Sequence, residues 1–170
     1  PYHSSFDILE TEAFRKAGLE TVALAGHPEG NPEDARSWEN LLEKCSRLHD
    51  LGIRVEIVTQ WSFSPEKVDA YLEALHKAGI TIPVRVGVPG PANLKTLIKY
   101  AKICGVSASA TAIRKQGLNM GKMLLSNKPD RFVSEVSNSS HFHIYPFGGL
   151  EKCAAWLKSR QAGSGKRSAA

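Results

Sequence analysis

The sequence lacks the features that mark several easily recognised protein classes. Its cysteines, Cys45, Cys104 and Cys153, are odd in number and irregularly spaced, without a Cys-x-x-Cys pair, which argues against a disulfide framework. No apolar run approaches the roughly 20 residues that a membrane-spanning helix needs, and no charged-then-apolar leader is visible. We therefore expect a cytoplasmic protein that makes no contact with a membrane.

The positive charge is not arranged as nucleic-acid-binding proteins arrange it. Lys and Arg number 22 against 17 Asp and Glu, which gives a formal net charge of +5. Part of that excess lies near the C-terminus, at Lys158, Arg160, Lys166 and Arg167, and the rest is scattered without interleaved aromatic residues. We expect no nucleic-acid partner.

What the sequence does contain is a repeated strand–helix pattern. Gly18, Gly52, Gly79 and Gly105 each end a helical stripe, and all four stand directly before an apolar residue. They follow one another at 34, 27 and 26 residues, which is the length of one β/α unit. Right-handed crossovers between such units make consecutive strands parallel.

This repeated pattern predicts an α/β fold with four parallel strands and flanking helices. The strands are expected near 20–25, 54–59, 83–88 and 141–145. The predicted helices are Phe6–Ala17, a stripe from Trp38 to Leu48, Ser64–Ala78, one capped by Asn93, one or two within 107–126, Pro129–Ser137 and Leu150–Arg160. Residues 161–170 are expected to be a disordered tail. Four such strands could form half of a (β/α)8 TIM barrel or a small open sheet.

Polar residues follow the predicted strands at their carboxyl ends, where parallel sheets carry binding loops. His27 and Glu29 follow the first strand, and they could contact a ligand or simply belong to a turn shaped by prolines. Gln60 ends the second strand, and its amide could serve a heterocycle that offers both donor and acceptor, or it could satisfy nearby backbone. Gly148 and Gly149 could expose N–H groups to a phosphate or make an ordinary turn.

Other chemistry is not indicated. His141 and His143 alternate on a strand, but no third ligand accompanies them, so we expect no metal site. No Ser/His/Asp or Cys/His arrangement stands out, and the Gly/Pro loop after the third strand lacks the Lys of a P-loop.

Taken together, the motifs resemble the methylenetetrahydrofolate reductase family from about residue 19 to 160. The family's Ala-Gly-Tyr-Pro-Glu-x-His-Pro loop is similar to Ala25–Pro32, and its Ile-Thr-Gln strand end to Val58–Gln60. Its Ile-Pro-Gly segment and following helix resemble Gly87–Leu94 and the continuation to Val106, and its Phe-His-Phe-Tyr strand resembles Phe142–Tyr145.

The resemblance implies a flavoprotein oxidoreductase of one-carbon metabolism and methionine biosynthesis. The family folds as a TIM barrel with FAD and passes hydride from NAD(P)H to 5,10-methylenetetrahydrofolate, which gives 5-methyltetrahydrofolate. Residues 1–160 would be strands five to eight of that barrel. The family's proton-donating Glu and flavin-side Asp would precede Pro1, so we expect a fragment that carries no catalytic residue and is inactive alone.

The resemblance also assigns site residues. His27, Glu29 and Asn31 would lie in the FAD-contacting loop, while Gln60 and Leu94 would contact the folate substrate. The family has Tyr at the position of His27, His at Asn31, an aromatic at Leu94 and an Arg near Gly149. These departures keep two alternatives open: a barrel that binds a folate or other heterocycle without reducing it, and a half barrel acting through its sheet edges. A homo-oligomer is also left open.

Overall fold

The computed structural model of the protein describes residues 4–11, 13–106 and 129–164. Its sheet is formed by β1 (Thr21–Gly26), β2 (Arg54–Thr59), β3 (Val84–Pro89) and β4 (Phe142–Tyr145). The strands are all parallel and lie in chain order, β1-β2-β3-β4. The predicted α/β architecture with four parallel strands and flanking helices is confirmed, and each strand begins and ends within one residue of its predicted span.

Helices precede, connect and follow the strands. They are α1 (Ser5–Leu9), α2 (Ala13–Lys16), α3 (Ser37–Asp50), α4 (Pro65–Lys77), α5 (Leu94–Ile103), α6 (Asp130–Glu135) and α7 (Leu150–Ser164). The predicted caps are present, because Asn93 Oδ1 accepts from the Thr96 N–H at 2.8 Å and Ser64 Oγ accepts from the Lys67 N–H at 3.3 Å. Helix α7 ends four residues beyond the predicted Arg160.

The prediction of one helix over Phe6–Ala17 is wrong. The segment forms α1 and α2 instead, and Thr11 lies between them. The Thr11 hydroxyl donates to the Ile8 carbonyl at 2.8 Å and accepts from the Ala13 N–H at 3.3 Å. A side chain that bonds the backbone on both sides in this way competes with a continuous helix. The helices predicted within 107–126 and the tail beyond Ser164 lie outside the described residues.

One face of the sheet, the helix-covered face, carries the main apolar core. Leu24, Ile57 and Val84 are register partners on three adjacent strands and point to this side. Helices α3 and α4 pack on them through Leu41, Cys45, Leu48, Tyr71 and Leu75. Val68, Val86 and Val136 continue the core towards β4. The i, i+3, i+4 stripes of the sequence therefore do bury against one side of the sheet.

The opposite side of the sheet, the bare face, carries small and charged side chains. Thr21, Ala23 and Ala25 on β1 are exposed, as are Arg54 on β2 and Arg85 on β3. Two ion pairs cross this region: Arg54 with Glu20 at 2.9 Å, and Arg85 with Glu56 at 2.9 Å. Consecutive crossovers of one hand place the helices on one side and leave this face open.

Within the described ranges, no helix is both long and apolar enough to span a membrane.

Candidate functional site at the carboxyl ends of the strands

The carboxyl ends of β2 and β3 separate, and Thr59 lies in the gap. The β2–β3 ladder covers only Ile57↔Val84 and Val58↔Arg85. A regular ladder would next pair the Gly87 N–H with the Thr59 carbonyl. Instead the Gly87 N–H donates to Thr59 Oγ1 at 2.8 Å, and the Thr59 carbonyl accepts from the Tyr145 hydroxyl at 3.0 Å. One buried threonine thus connects β2 to both β3 and β4.

This junction requires glycine at position 87. A β-carbon added to Gly87 would lie 2.8 Å from the Trp61 nitrogen and 2.9 Å from the Gln60 carbonyl carbon. Both atoms belong to main chain, which cannot move aside as a flexible side chain can. The bare side of β3 at Gly87 is therefore where Tyr145 passes across to β2.

Gln60 stands at the end of β2, as predicted, with its amide half-buried. Its N–H continues the β1–β2 ladder by donating to the Gly26 carbonyl at 2.7 Å. In the side chain, Oε1 accepts from the Trp61 N–H at 3.1 Å, and Nε2 donates to the Cys104 carbonyl at 3.5 Å. The last contact is at the outer limit of a hydrogen bond. The amide is held by its own chain, but one N–H and one lone pair remain available.

Helix α5 and the turn after it lie across the strand ends. Cys104 in that turn contacts Gln60, and the neighbouring Gly105 packs on Pro32, since an added β-carbon would lie 2.7 Å from the Pro32 ring. Below the helix lies a strand-end aromatic cluster, formed by Trp61, Phe63, Tyr100, Tyr145 and Phe147. The rings of Tyr100 and Phe147 stack with centroids 4.4 Å apart. A planar ligand has no room between rings so close.

Two polar groups of this cluster are unusual. Trp61 is fully buried, and its Nε1–H has no hydrogen-bond acceptor among the described residues. Burial, with a smaller contribution from the Cys104 thiol, raises the pKa of Tyr145 above its ordinary value, so its hydroxyl stays protonated and donates to Thr59. Trp61 is 0% exposed, so its indole N–H lies inside the packed cluster.

Glu29 does not face solvent in the loop after β1. Its side chain is only 5% exposed, and Oε1 accepts from the Ser62 hydroxyl at 2.6 Å. Lys67 in the first turn of α4 lies 3.9 Å from Oε2. Ser62 is fully buried and also accepts from the Ser64 N–H at 2.9 Å. The carboxylate therefore joins the loop after β1 to the loop after β2.

His27 and Asn31 are the other predicted cofactor-binding residues. Burial lowers the pKa of His27 below 6.5, partly offset by Asp34, so its imidazole is neutral at pH 7. The Tyr71 hydroxyl accepts from the backbone of His27, and burial raises the pKa of Tyr71 to about 12. Asn31 Oδ1 accepts from the Glu33 N–H at 3.0 Å and shapes a turn. His27 directly follows Gly26, whose carbonyl accepts from the Gln60 N–H, and the cofactor role of His27 and Asn31 stays a prediction.

Leu94 is not brought to Gln60. It is the first residue of α5, whereas Cys104 follows the last, so the two are about 15 Å apart along the helix axis. Of the two predicted folate-contacting residues, Gln60 therefore meets the C-terminal turn of α5, while Leu94 lies at its N-terminal end. Gly148 fits closely against the loop after β3, since an added β-carbon would lie 3.0 Å from Ala92 Cα, which explains that glycine by packing.

No metal centre forms in the part of the chain that the structure describes, where no three His, Cys, Asp or Glu residues converge. A groove of about 320 Å³ does exist, but at the other end of the strands. It lies between the end of α4, the entry to β3 and the loop before β4, and His76, Ile82, Ser140 and His141 are among the residues lining it. It is separate from the candidate site.

Sequence reasoning missed Thr59, Ser62, Cys104 and Tyr145. Thr59 and Ser62 flank Gln60 in the sequence, and both are fully buried polar residues. The hydroxyl residues around a predicted strand end were the available signal. The partners of these residues are 28 to 86 positions away, which no local pattern reveals. The chain matches no known protein-family model.

Proposed function

We propose that this chain forms the folate-binding half of a methylenetetrahydrofolate reductase-like flavoprotein. The observation that carries the proposal is Gln60, an amide at a rigid strand end held between the backbone N–H of Trp61 and the Cys104 carbonyl after α5. A pterin ring offers donors and acceptors along one edge, and the spare N–H and lone pair of Gln60 match that edge. The resemblance of the strand-end motifs to the reductase family supports the same assignment.

The barrel part of the proposal rests on what the sheet leaves uncovered. Four parallel strands in chain order with helices on one side would make one half of an eight-stranded closed barrel. In the described part of the chain, the outer edges of β1 and β4 pair with no strand. On α7, beside β4, Leu150 and Leu157 are 76% and 41% exposed and lie seven residues apart, on one face. A preceding set of β/α units would cover both features.

The residues present fit a flat heterocycle better than they fit the whole of FAD. The half-buried amide of Gln60, with its spare N–H and lone pair, suits the edge of a ring system. His27 and Asn31 would hold the adenosine side, whereas the carboxylate of Glu29 is directed inward to Ser62. FAD would supply the hydride chemistry when bound, and this chain would bind and orient the rings. Reduction would lead from 5,10-methylenetetrahydrofolate to 5-methyltetrahydrofolate, with NAD(P)H as donor.

A second candidate is a barrel that binds folate or another heterocycle without reducing it. The observation that favours it is the position of Leu94, which the length of α5 separates from Cys104 and so from the carbonyl that meets Gln60. Both candidates require Gln60, but only the first requires a flavin.

The visible absorption spectrum of the full-length protein separates the two. A reductase would purify with bound flavin, and dithionite or NADH would bleach its absorbance. Titration with 5-methyltetrahydrofolate would then perturb the flavin bands. A colourless protein that binds the folate would support the second candidate, and a colourless protein that binds neither would contradict both. The chain alone is expected to show no NADH-dependent reductase activity, since half a barrel lacks half of the site.

A further inference from the structure

We propose that Glu29 is a positioning residue that holds Gln60 in place through Ser62, rather than a contact of the cofactor. This inference rests on the proposed function for its ligand, but its geometry is independent of that ligand. The Glu29–Ser62 bridge, the 2.6 Å hydrogen bond between these two side chains, joins the loops after β1 and β2.

The bridge is built as an internal support. Ser62 is fully buried, and the Glu29 side chain is nearly so. The Ser62 hydroxyl needs an acceptor oxygen within reach, and Glu29 Oε1 supplies it at 2.6 Å. Lys67 adds little to the stability of the bridge, because its contact with Glu29 is 3.9 Å long and its side chain is 45% exposed.

The path from the bridge to Gln60 is short. Ser62 is separated from Gln60 only by Trp61, which is fully buried and therefore unable to absorb a shift of its backbone. The Trp61 N–H in turn donates to Gln60 Oε1 at 3.1 Å. A displacement of Ser62 would thus move the donor that orients the amide. The same Ser62 oxygen accepts from the Ser64 N–H, which ties the segment to the start of α4.

A cofactor contact and a positioning role make different demands on the side chain. A contact that uses the negative charge is lost when Glu29 becomes Gln. A support for Ser62 survives that change, since the Gln carbonyl oxygen still accepts from the hydroxyl. Glu29→Ala and Ser62→Ala should both remove the support, from its two ends.

The test is amide hydrogen exchange on the full-length protein, followed by binding of FAD and of 5-methyltetrahydrofolate. Glu29→Ala and Ser62→Ala are expected to speed exchange about tenfold in both 27–31 and 60–64, and to weaken folate binding by a similar factor. The double variant should show nearly the same exchange rates and folate affinity as either single variant, because each single substitution already removes the same hydrogen bond. Glu29→Gln should stay within about twofold of wild type in exchange and binding. Glu56→Gln, which breaks the ion pair with Arg85 on the bare face, is the control and should change neither segment.

Unchanged exchange at 60–64 in both alanine variants would overturn the proposal. So would a Glu29→Gln protein with wild-type exchange but the same loss of FAD or folate as Glu29→Ala, because the charge itself would then contact the ligand. If the wild-type protein binds neither compound, the proposed function fails, and the exchange rates alone still decide whether the bridge positions the segment. Should Glu29→Ala fail to fold, Ser62→Ala and Glu29→Gln carry the same comparison.

Discussion

The helix-covered face of the sheet and its carboxyl edge are built by different means. On the face, Leu41, Leu48, Ile57 and Leu75 are almost fully buried aliphatic residues that carry no hydrogen-bonding groups in their side chains. At the edge, stability depends on side chains that bond main-chain atoms of other strands, above all through Thr59. The face would tolerate changes of similar volume, whereas the edge depends on particular polar atoms.

This difference teaches where function can be placed in such a fold. Aliphatic packing supplies most of the free energy of folding and has little chemistry of its own. At the edge, the regular ladder bond from the Gly87 N–H to the Thr59 carbonyl is replaced by side-chain hydrogen bonds, and Gln60 and the aromatic rings lie beside this opening. The following changes test this division, beginning with the face.

Leu48→Ala should have the largest effect on stability. The side chain is fully buried between α3 and the sheet, so its loss leaves a cavity and should lower the free energy of unfolding by about 2–5 kcal/mol. Urea unfolding of the protein measures it. Leu157→Ala, on the exposed face of α7, is the matched control and should cost under about 0.5 kcal/mol in this chain. Equal losses in the two variants would mean that the helix-covered face is not the main core.

Gly87→Ala should destabilise the carboxyl edge by adding a single methyl group. The added carbon would press on the main chain of Gln60 and Trp61, at a cost of about 1–3 kcal/mol. Gly18→Ala separates this clash from backbone strain: its β-carbon would meet nothing, but its φ of +67° is unfavourable for alanine, which should cost about 1 kcal/mol. Thermal unfolding compares the two. A Gly87→Ala protein as stable as wild type would contradict the close junction.

Thr59→Val keeps the volume of the side chain and removes the acceptor of the Gly87 N–H. That buried donor is left unpaired, so the free energy of unfolding should fall by about 1–3 kcal/mol. Tyr145→Phe, which deprives the Thr59 carbonyl of its donor, should cost about 1 kcal/mol. Tyr100→Phe is the control, since its hydroxyl bonds no described residue. If all three variants unfold at the wild-type urea concentration, the edge is not held by these hydrogen bonds.

The smallest effect is a pH dependence from His27. Burial keeps its imidazole neutral and lowers its pKa in the folded protein, while the unfolded chain takes up a proton near the ordinary pKa of 6.5. Acidification below that value therefore favours the unfolded state, and the free energy of unfolding should fall until the folded pKa is passed. His27→Gln should make the change between about pH 7 and about pH 5 shallower, as measured by urea unfolding.

The helix-covered face could be predicted well because the sequence signals for its helices and turns are local. Helical stripes, the caps Ser64 and Asn93, and the positive-φ glycines Gly52 and Gly79 each act within a few residues and agree with one another. The first helical segment failed for an equally local reason, the bonding of Thr11. Threonine often forms such bonds, but only the folded backbone shows that Thr11 does so here.

The edge was predicted only in outline. Gln60 was placed at the end of its strand, but the burial of Glu29 against Ser62 and the approach of Cys104 depend on how loops far apart in sequence meet. The folate contact of Leu94 stays a prediction: it followed a motif, and the length of α5 separates Leu94 from Cys104, whose carbonyl meets Gln60. Local patterns fix which residues end a strand, whereas contacts between strand ends follow from the whole fold.

The central claim is that Gln60 recognises a folate ring at the strand ends, and affinity for 5-methyltetrahydrofolate tests it most directly. Equilibrium binding should be measured on full-length wild-type protein, Gln60→Ala and Gln60→Glu, each with its melting temperature. Gln60→Ala leaves ring atoms unpaired at about 1–3 kcal/mol, so affinity should fall roughly tenfold or more with little change in melting. Gln60→Glu keeps the shape but replaces the donor with a second acceptor, and it should lose a similar amount. Wild-type affinity in both variants would mean that Gln60 only ends its strand, and the account would be contradicted.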